Sequence, residues 1–290
     1  MAIVVESVAS EGSFTLANPC TVTITKPTGL AVGDLLVAVI FNSSSTACDT
    51  PSGWTVIRKT NGTTRNIDTF YIVATSTETA ASNFTFVATG SGSSRMSGGL
   101  LRISGFAAST PVATSNGDAT GITNDSTPSY PITVTPSYAE SLLIFANFTF
   151  SASGNDVSTS AQAITTSNPS WTEAFDLFGG FIIGGAVAYA TRTEITATGN
   201  ATCTLSKGDD SEDSIAQMIV INPIQNATAA VSALSITSAL PAVTTQVGIN
   251  ITASPLTVTS ELKAPTPEML SEVRNQSKSS SSWTNETKST

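Results

Sequence analysis

Short apolar segments of strand length recur along the chain as far as residue 222, and almost none carries the three-to-four-residue apolar period of a helix. Thr21 to Thr25, Asn83 to Phe86 and Ile132 to Thr135 alternate apolar and polar residues. That pattern predicts strands with one face on a core and one in water. Leu35 to Phe41, Leu142 to Phe145 and Gln217 to Ile221 are continuous apolar runs, which suit strands covered on both faces. Gly, Ser, Asn and Pro clusters punctuate them as turns do. The reading for residues 1–224 is an all-β, antiparallel β-sandwich, jelly-roll-like, with its loops gathered at the ends.

Within this stretch the sequence echoes itself. Gly33 to Ala38 is answered by Glu140 to Phe145 and Pro51 to Thr55 by Asn168 to Thr172, at offsets of 107 and 117 residues. Thr69 to Thr75 then matches Gly185 to Thr191, and Leu100 to Gly105 matches Met218 to Pro223. A duplication would produce this order, as would similar packing demands on unrelated strands. Either origin makes Trp54 and Trp171 core aromatics beside a strand start, in preference to sugar-stacking platforms.

Polarity comes from hydroxyls. Of 290 residues 87 are Ser or Thr, only 11% are charged and none is histidine. That excludes the usual Ser-His-Asp and Cys-His triads and every imidazole metal ligand. No enzymatic activity and no cofactor is expected. Carboxylate pairs could be drawn from Asp34, Asp49, Asp68 or Asp176, but nothing local selects one. The glycine-rich stretches 90–94 and 97–99 lack the Lys-Ser/Thr and the following helix of a phosphate loop. Asp209, Asp210, Glu212 and Asp213 could attract calcium, although their spacing is not that of an EF-hand and a solvated hairpin is the simpler reading. Cys20, Cys48 and Cys203 are an odd number without CxxC spacing, as expected of buried free thiols.

Net charge is −9, carried by the body, with no basic stripe to neutralise phosphates, so nucleic acid is not an expected partner. The beginning lacks a signal-peptide pattern and the longest strongly apolar run is that of Leu35 to Phe41, so the chain reads as unprocessed and not inserted in a membrane. Ten Asn-x-Ser/Thr sequons occur, among them Asn42, Asn61, Asn83 and Asn147, many by chance in so hydroxyl-rich a chain.

Residues 225–290 read as an extended carboxyl-terminal arm. Ser232 to Leu240 matches Ser254 to Leu262 at a period of 22, and each copy is one alternating strand. Two such strands cannot bury their apolar faces alone. Leu234, Ile236, Leu240, Leu256, Val258 and Leu262 are therefore assembly residues. Pro265 to Pro267 introduces the one short helix expected, with Met269, Leu270 and Val273 on a common face. A polar repeat follows, Asn275 to Ser280 against Asn285 to Thr290, whose order would need a docking partner with Trp283 as its anchor.

Gly33-Asp-Leu-Leu-Val-Ala38, Pro51-Ser-Gly-Trp54, Tyr71 to Thr75 and Ser97 to Gly105 together resemble a recurrent β-sandwich module of tailed-bacteriophage virion proteins and bacterial surface proteins. The ending, Trp283-Thr-Asn-Glu-Thr-Lys288 after Asn275-Gln-Ser-Lys278, resembles Trp-Thr-Asn-Gln-Ser-Lys repeats near the end of some phage structural proteins. The resemblance implies a non-enzymatic virion structural protein on the particle exterior, assembled in the host cytoplasm. It would be a capsid decoration, head fibre or tail appendage, homo-oligomeric with a trimer favoured, and joined to neighbouring virion proteins through residues 225–290. A host-receptor or glycan-binding adhesin is the alternative, with contact loops near Asn42 to Cys48, Asn61 to Asn66 and Ser151 to Ser160. A polysaccharide depolymerase is the least favoured reading.

Overall fold

The computed structural model describes residues 2–44, 46–63, 65–89, 94–123, 127–150, 159–179, 183–205, 213–225, 272–275 and 283–286. The chain divides into two units, Met1–Thr228 and Ala229–Thr290.

The first unit is an all-β antiparallel sandwich. Its first half holds β1 (Val4–Ala17), β2 (Cys20–Thr25), β3 (Leu35–Asn42), β4 (Thr55–Asn61), β5 (Asn66–Val73), α1 (Ser76–Ala80), β6 (Asn83–Ala88) and β7 (Ser94–Ser104). Its second holds β8 (Val112–Thr123), β9 (Ser129–Tyr130), β10 (Ser141–Phe150), β11 (Thr159–Ile164), β12 (Thr172–Gly179), β13 (Ile183–Arg192), β14 (Ala201–Leu205) and β15 (Asp213–Ile221). One five-stranded sheet has the order β1-β7-β3-β5-β4, the other β8-β15-β10-β13-β12. These orders are identical once each half is numbered from its own start with β11, which has no strand counterpart in the first half, set aside. Small sheets, β2-β6 and β9-β14-β11, lie outside them. The place of β11 is taken in the first half by the segment around Cys48 and Asp49, where the Asp49 N–H donates to the Val87 carbonyl.

Three apolar layers hold these sheets together. Leu35, Val37, Val39 and Phe41 face Leu142, Ile144, Ala146 and Phe148 between the large sheets. Ala38, Ile40 and Phe70 meet Val22, Ile24 and Phe86 on the β2-β6 side. Leu143 and Phe145 meet Tyr130, Cys203 and Leu205 on the other. Every residue of β3 is buried, which is why its sequence shows no alternation. β2, against one core only, alternates buried and exposed residues.

The register makes the duplication concrete. Leu35 pairs with Val73 and Ile103, and its counterpart Leu142 pairs with Thr191 and Ile221. The extra residue that bends β4 after Val56 recurs in β12 after Glu173. Another bulge recurs where Val5 and Val112 meet Ile103 and Ile221. Bulges mark particular positions in a ladder, and two coincidences at matched positions point to duplication over shared packing demand. The same register places Tyr71 on Tyr189, two residues away from the match of Thr69 with Gly185 that the sequence suggested.

Two further expectations are corrected. The one helix among the described residues is α1, set by a capping box in which the Thr75 side chain accepts from backbone N–H and Glu78 reaches back to the Thr75 N–H. Val273, placed by sequence on a helix, lies in β16 (Glu272–Asn275), which pairs with β17 (Trp283–Glu286) so that Val273 faces Asn285 and Asn275 faces Trp283. Pairing with a second strand decided the conformation there, and four residues carry too little helical propensity to resist it. Ile132 to Thr135, predicted as a strand, join no ladder, and the strand beside them is the short β9 (Ser129–Tyr130), although Ile132 and Val134 are buried and Thr133 and Thr135 exposed as the alternation required. Pro131 and Pro136 withhold the N–H groups that a longer ladder would use. Leu234, Ile236, Leu240, Leu256, Val258, Leu262, Met269 and Leu270 lie outside the described residues.

Candidate functional site

The strand directions give the first unit two distinct ends. β3 and β10 run the same way, because Phe41 near the end of one stacks on Phe148 near the end of the other, with ring centroids 5.3 Å apart. The chain therefore turns at this end, the tip, at residues 43–48 and 62–65 in the first half, and β6 ends and β7 begins at the same end. The chain leaves the strands at the same end for residues 124–126, 151–158, 180–182 and 206–212 in the second. At the opposite end, the base, the halves are stitched directly. Ile224 N–H donates to the Gly105 carbonyl at 2.8 Å and Ala107 N–H to the Asn222 carbonyl at 2.9 Å, beside a bridge between Phe106 and Pro223. Residue 225 thus departs from the base.

The tip floor of the first half is polar and buried. Asn42 and Asn66 are cross-strand partners, and Asp68 lies two residues along β5 on the same face. All three are fully buried. They hold the chain segment above them: Asn42 Nδ2 donates to the Thr46 carbonyl at 2.8 Å, Asn66 Nδ2 to the Ser44 carbonyl at 2.7 Å, and Asp68 Oδ2 accepts from Cys48 N–H at 2.6 Å. Asn42 Oδ1, Asn66 Oδ1 and Asp68 Oδ1 are buried without a hydrogen-bond donor. Lys59, opposite Asp68 on β4, donates instead to the Cys48 carbonyl and lies 5.6 Å from the centre of the Phe70 ring. Burial pushes the Asp68 carboxyl up from its ordinary value of 3.8 to about 6, against the backbone hydrogen bond and Lys59. Burial, followed by the charge of Asp68, pushes the Cys48 thiol up to about 12.

A folded-state pKa above the unfolded one means that the native protein binds the proton more tightly. The contribution of Asp68 to stability is therefore fully present below about pH 4 and is lost as pH rises through about 6. A shift of this size corresponds to about 2–3 kcal/mol. In EDTA-treated buffer, Asp68→Asn is expected to unfold at higher urea than the parent at pH 7, by about 1–3 kcal/mol, with the difference closing by pH 4. A parent-variant difference that does not change with pH would contradict this account.

The second half closes the same end differently. Asn147 Nδ2 donates to Tyr130 Oη, Tyr130 donates to Ser214 Oγ at 2.8 Å, and Thr149 Oγ1 donates to Asn147 Oδ1 at 2.9 Å. The positions equivalent to Asn42, Asn66 and Asp68 are Thr149, Gly184 and Ala186.

Asp34 and Asp68, two of the carboxylates the sequence offered, stand at opposite ends of the first unit. Asp34 precedes β3 at the base, where its Oδ2 pairs with Arg102 Nε at 2.6 Å. Asp68, opposite Ile40, lies roughly 20 Å along the strands, which rules these two out as a hydrolytic carboxylate pair. No three His, Cys, Asp or Glu side chains cluster as metal ligands among the described residues. Asp209, Asp210 and Glu212 lie outside them, and Asp213 opens β15. Cys20, Cys48 and Cys203 are buried and none forms a disulfide. Asn42 and Asn147 are buried and could not present a glycan, whereas Asn61 and Asn83 are exposed.

Trp54 meets Phe84 and Phe86 edge-on at 5.8 and 5.4 Å, and Trp171 meets Phe145 at 6.2 Å while its Nε1 donates to Asn168. Both are half-buried packing residues in matched places. Two open hollows near the base are also matched, one of about 490 Å³ beside Thr55 and Tyr71 and one of about 720 Å³ beside Thr172 and Tyr189. No helix among the described residues is long and apolar enough to cross a membrane. Val273 and Trp283 are brought into one antiparallel strand pair, two register positions apart. The chain matches no family model, no curated protein and no solved structure.

Proposed function

We propose that this chain is a non-enzymatic structural protein of a tailed-phage particle, carried on the particle exterior and anchored through residues 225–290. The observation that carries the proposal is the polarity of the first unit. Strand ends of both halves collect at the tip, while the chain passes on toward residues 225–290 from the base, through hydrogen bonds that tie Ile224 to Gly105. A protein that must hold on at one end and face outward at the other needs this arrangement. Segments whose alternating sequence predicts strands unable to bury an apolar face alone would supply the holding end, and they suit a homo-oligomer, a trimer in the first instance, or a neighbouring virion protein. The resemblance of the ending around Trp283 to phage structural repeats supports the same assignment.

Truncation after Thr228, at the boundary of the first unit, is the direct test. The truncated chain is expected to fold with the stability of the first unit and to fall at least about tenfold in copies per particle, because its contacts with neighbours would be gone. Undiminished incorporation would overturn the anchoring role.

The second reading, a host-receptor or glycan-binding adhesin, is favoured by the convergence of the turns at 43–48 and 62–65 with the strand ends on either side of 151–158. Segments on a rigid scaffold are where recognition residues concentrate. The two readings are compatible, since the tip would do the recognising. Replacing residues 62–65 by Gly-Ser sequence would lower host adsorption without changing incorporation if the second holds.

A further inference from the structure

We propose that the buried floor beneath residues 43–48 is a cation site in which Asn42 Oδ1, Asn66 Oδ1 and Asp68 Oδ1 bind calcium. These are three buried acceptor oxygens without donors, on one face, at adjacent register positions of β3 and β5. The amide orientations are not free to reverse. Each Nδ2 already donates to a backbone carbonyl, Thr46 for Asn42 and Ser44 for Asn66, so a flip would set oxygen against oxygen. Leaving such acceptors buried and unmatched costs about 1–3 kcal/mol each, and a hard cation that prefers oxygen ligands removes that cost.

The duplication supplies an internal control. The second half builds the same strands with Thr149, Gly184 and Ala186 at these positions, and Thr149 there finds a partner within its own network. The fold does not require a carboxylate or two carboxamides at this place. Their presence in one copy alone is what a ligand site adds to a scaffold.

A single carboxylate, with the Lys59 ammonium bonded to the Cys48 carbonyl close by, limits the affinity. The expected Kd lies at about 10⁻⁴–10⁻³ M, the range of weak extracellular calcium modules. The inference does not depend on where the protein is carried.

The test uses the full chain, freed of metal with EDTA and titrated with CaCl2 at pH 7.5 in constant ionic strength. Ten millimolar CaCl2 is expected to raise the melting temperature by about 3–7 °C. Asp68→Asn and Asp68→Ala, the latter copying Ala186, are expected to lose that rise. A variant with Asp209, Asp210, Glu212 and Asp213 all changed to the corresponding amides is expected to keep it. Lys59→Gln, which retains a donor for the Cys48 carbonyl, is expected to tighten Kd about threefold or more by removing a nearby positive charge. That measurement is independent of whether the Asp68 variants fold. Absence of a rise in the parent, a rise that survives in both Asp68 variants, or an equal rise with MgCl2 would each overturn the site.

Discussion

Phe41→Ala is expected to cost about 3–5 kcal/mol, enough to remove a large part of the stability of a domain this size. Its ring is fully buried between the two large sheets, stacked on Phe148 at 5.3 Å and edge-on to Phe175 at 6.4 Å. It also occupies the space over Gly185, where any Cβ would overlap it. Truncation leaves a cavity that a backbone on one side and rigid rings on the other cannot fill. Phe148→Ala should cost a similar amount, and the double variant about 1 kcal/mol less than the two together, because stacked rings lose their mutual contact only once. Urea unfolding followed by tryptophan fluorescence reads both halves, through Trp54 and Trp171. The parent and both variants should show one transition. A loss under about 1 kcal/mol, or two separated transitions in the parent, would mean that the halves are tethered neighbours and do not share a core.

The interface that Phe41 fills is a pseudo-symmetric one whose two sides have diverged. Gly99 and Gln217 occupy equivalent places on β7 and β15. A Cβ at Gly99 would overlap the Phe175 ring, so glycine there admits an aromatic from the opposite sheet. Gln217 at the other place accepts from Thr69 Oγ1 at 3.0 Å and donates to Thr60 Oγ1 at 2.9 Å and to the Ile67 carbonyl. One side is closed by a ring in a slot, the other by a satisfied amide. A buried polar group with every partner present adds direction to a contact that apolar packing alone leaves free to slide.

Much of this was legible in the sequence, for identifiable reasons. Leu35 to Phe41 and Leu142 to Phe145 showed themselves because a strand covered on both faces has no polar positions to interrupt it. The order of the internal echo was visible, but its register at Tyr71 and Tyr189 was not. Side chains on a strand repeat every two residues, so a two-residue slip leaves the apolar face unchanged and only the ladder reveals it. The helix at Ser76–Ala80 carries its own signal, Thr75 followed three residues later by Glu78, yet it is too short to show an apolar period. Pro265 to Val273 showed a plausible period, but Val273 pairs in a strand. The tip floor was the least legible part. Asn42 and Asn66 read as turn residues at strand ends, and their burial depends on the segment 43–48 folding back over them, which no local pattern encodes. Asp68, a lone carboxylate between Ile67 and Phe70, was the residue that could have pointed there.

Arg192→Ala is expected to destabilise the protein by at least about 3 kcal/mol, although the equivalent residue in the first half is itself an alanine, Ala74. The two strand ends are built on different principles. Ala74 exchanges backbone hydrogen bonds, its N–H donating to the Asp34 carbonyl and its carbonyl accepting from Gly33 N–H, both at 2.8 Å. Arg192 is 2% exposed, and residues 193–198 wrap around its guanidinium. Its nitrogens donate to the carbonyls of Thr166 at 3.0 Å, Thr196 at 3.2 Å, and Glu194 and Ala197 at 3.3 Å, and to Thr196 Oγ1 at 3.1 Å. Glu194, half-exposed, stands 3.8 Å away and supplies only a loose counter-charge. The arginine thus binds together a segment of otherwise exposed residues, where the Ala197 carbonyl also accepts from Thr166 Oγ1 at 2.6 Å, and removing it costs several hydrogen bonds from a charged donor, about 1.5–3 kcal/mol apiece, together with the packing of a buried side chain. Lysine should rescue little of the loss, because one ammonium cannot reproduce a planar fork spread over carbonyls on two segments. Amide hydrogen exchange separates this from a general packing defect: protection should fall first in residues 193–200, and at Thr165 and Thr166, whose N–H groups bond Asn200 and Thr198. If Arg192→Ala unfolded within about 1 kcal/mol of the parent, the fork of carbonyls would have found water, and the arginine would be filling space that a smaller residue fills as well.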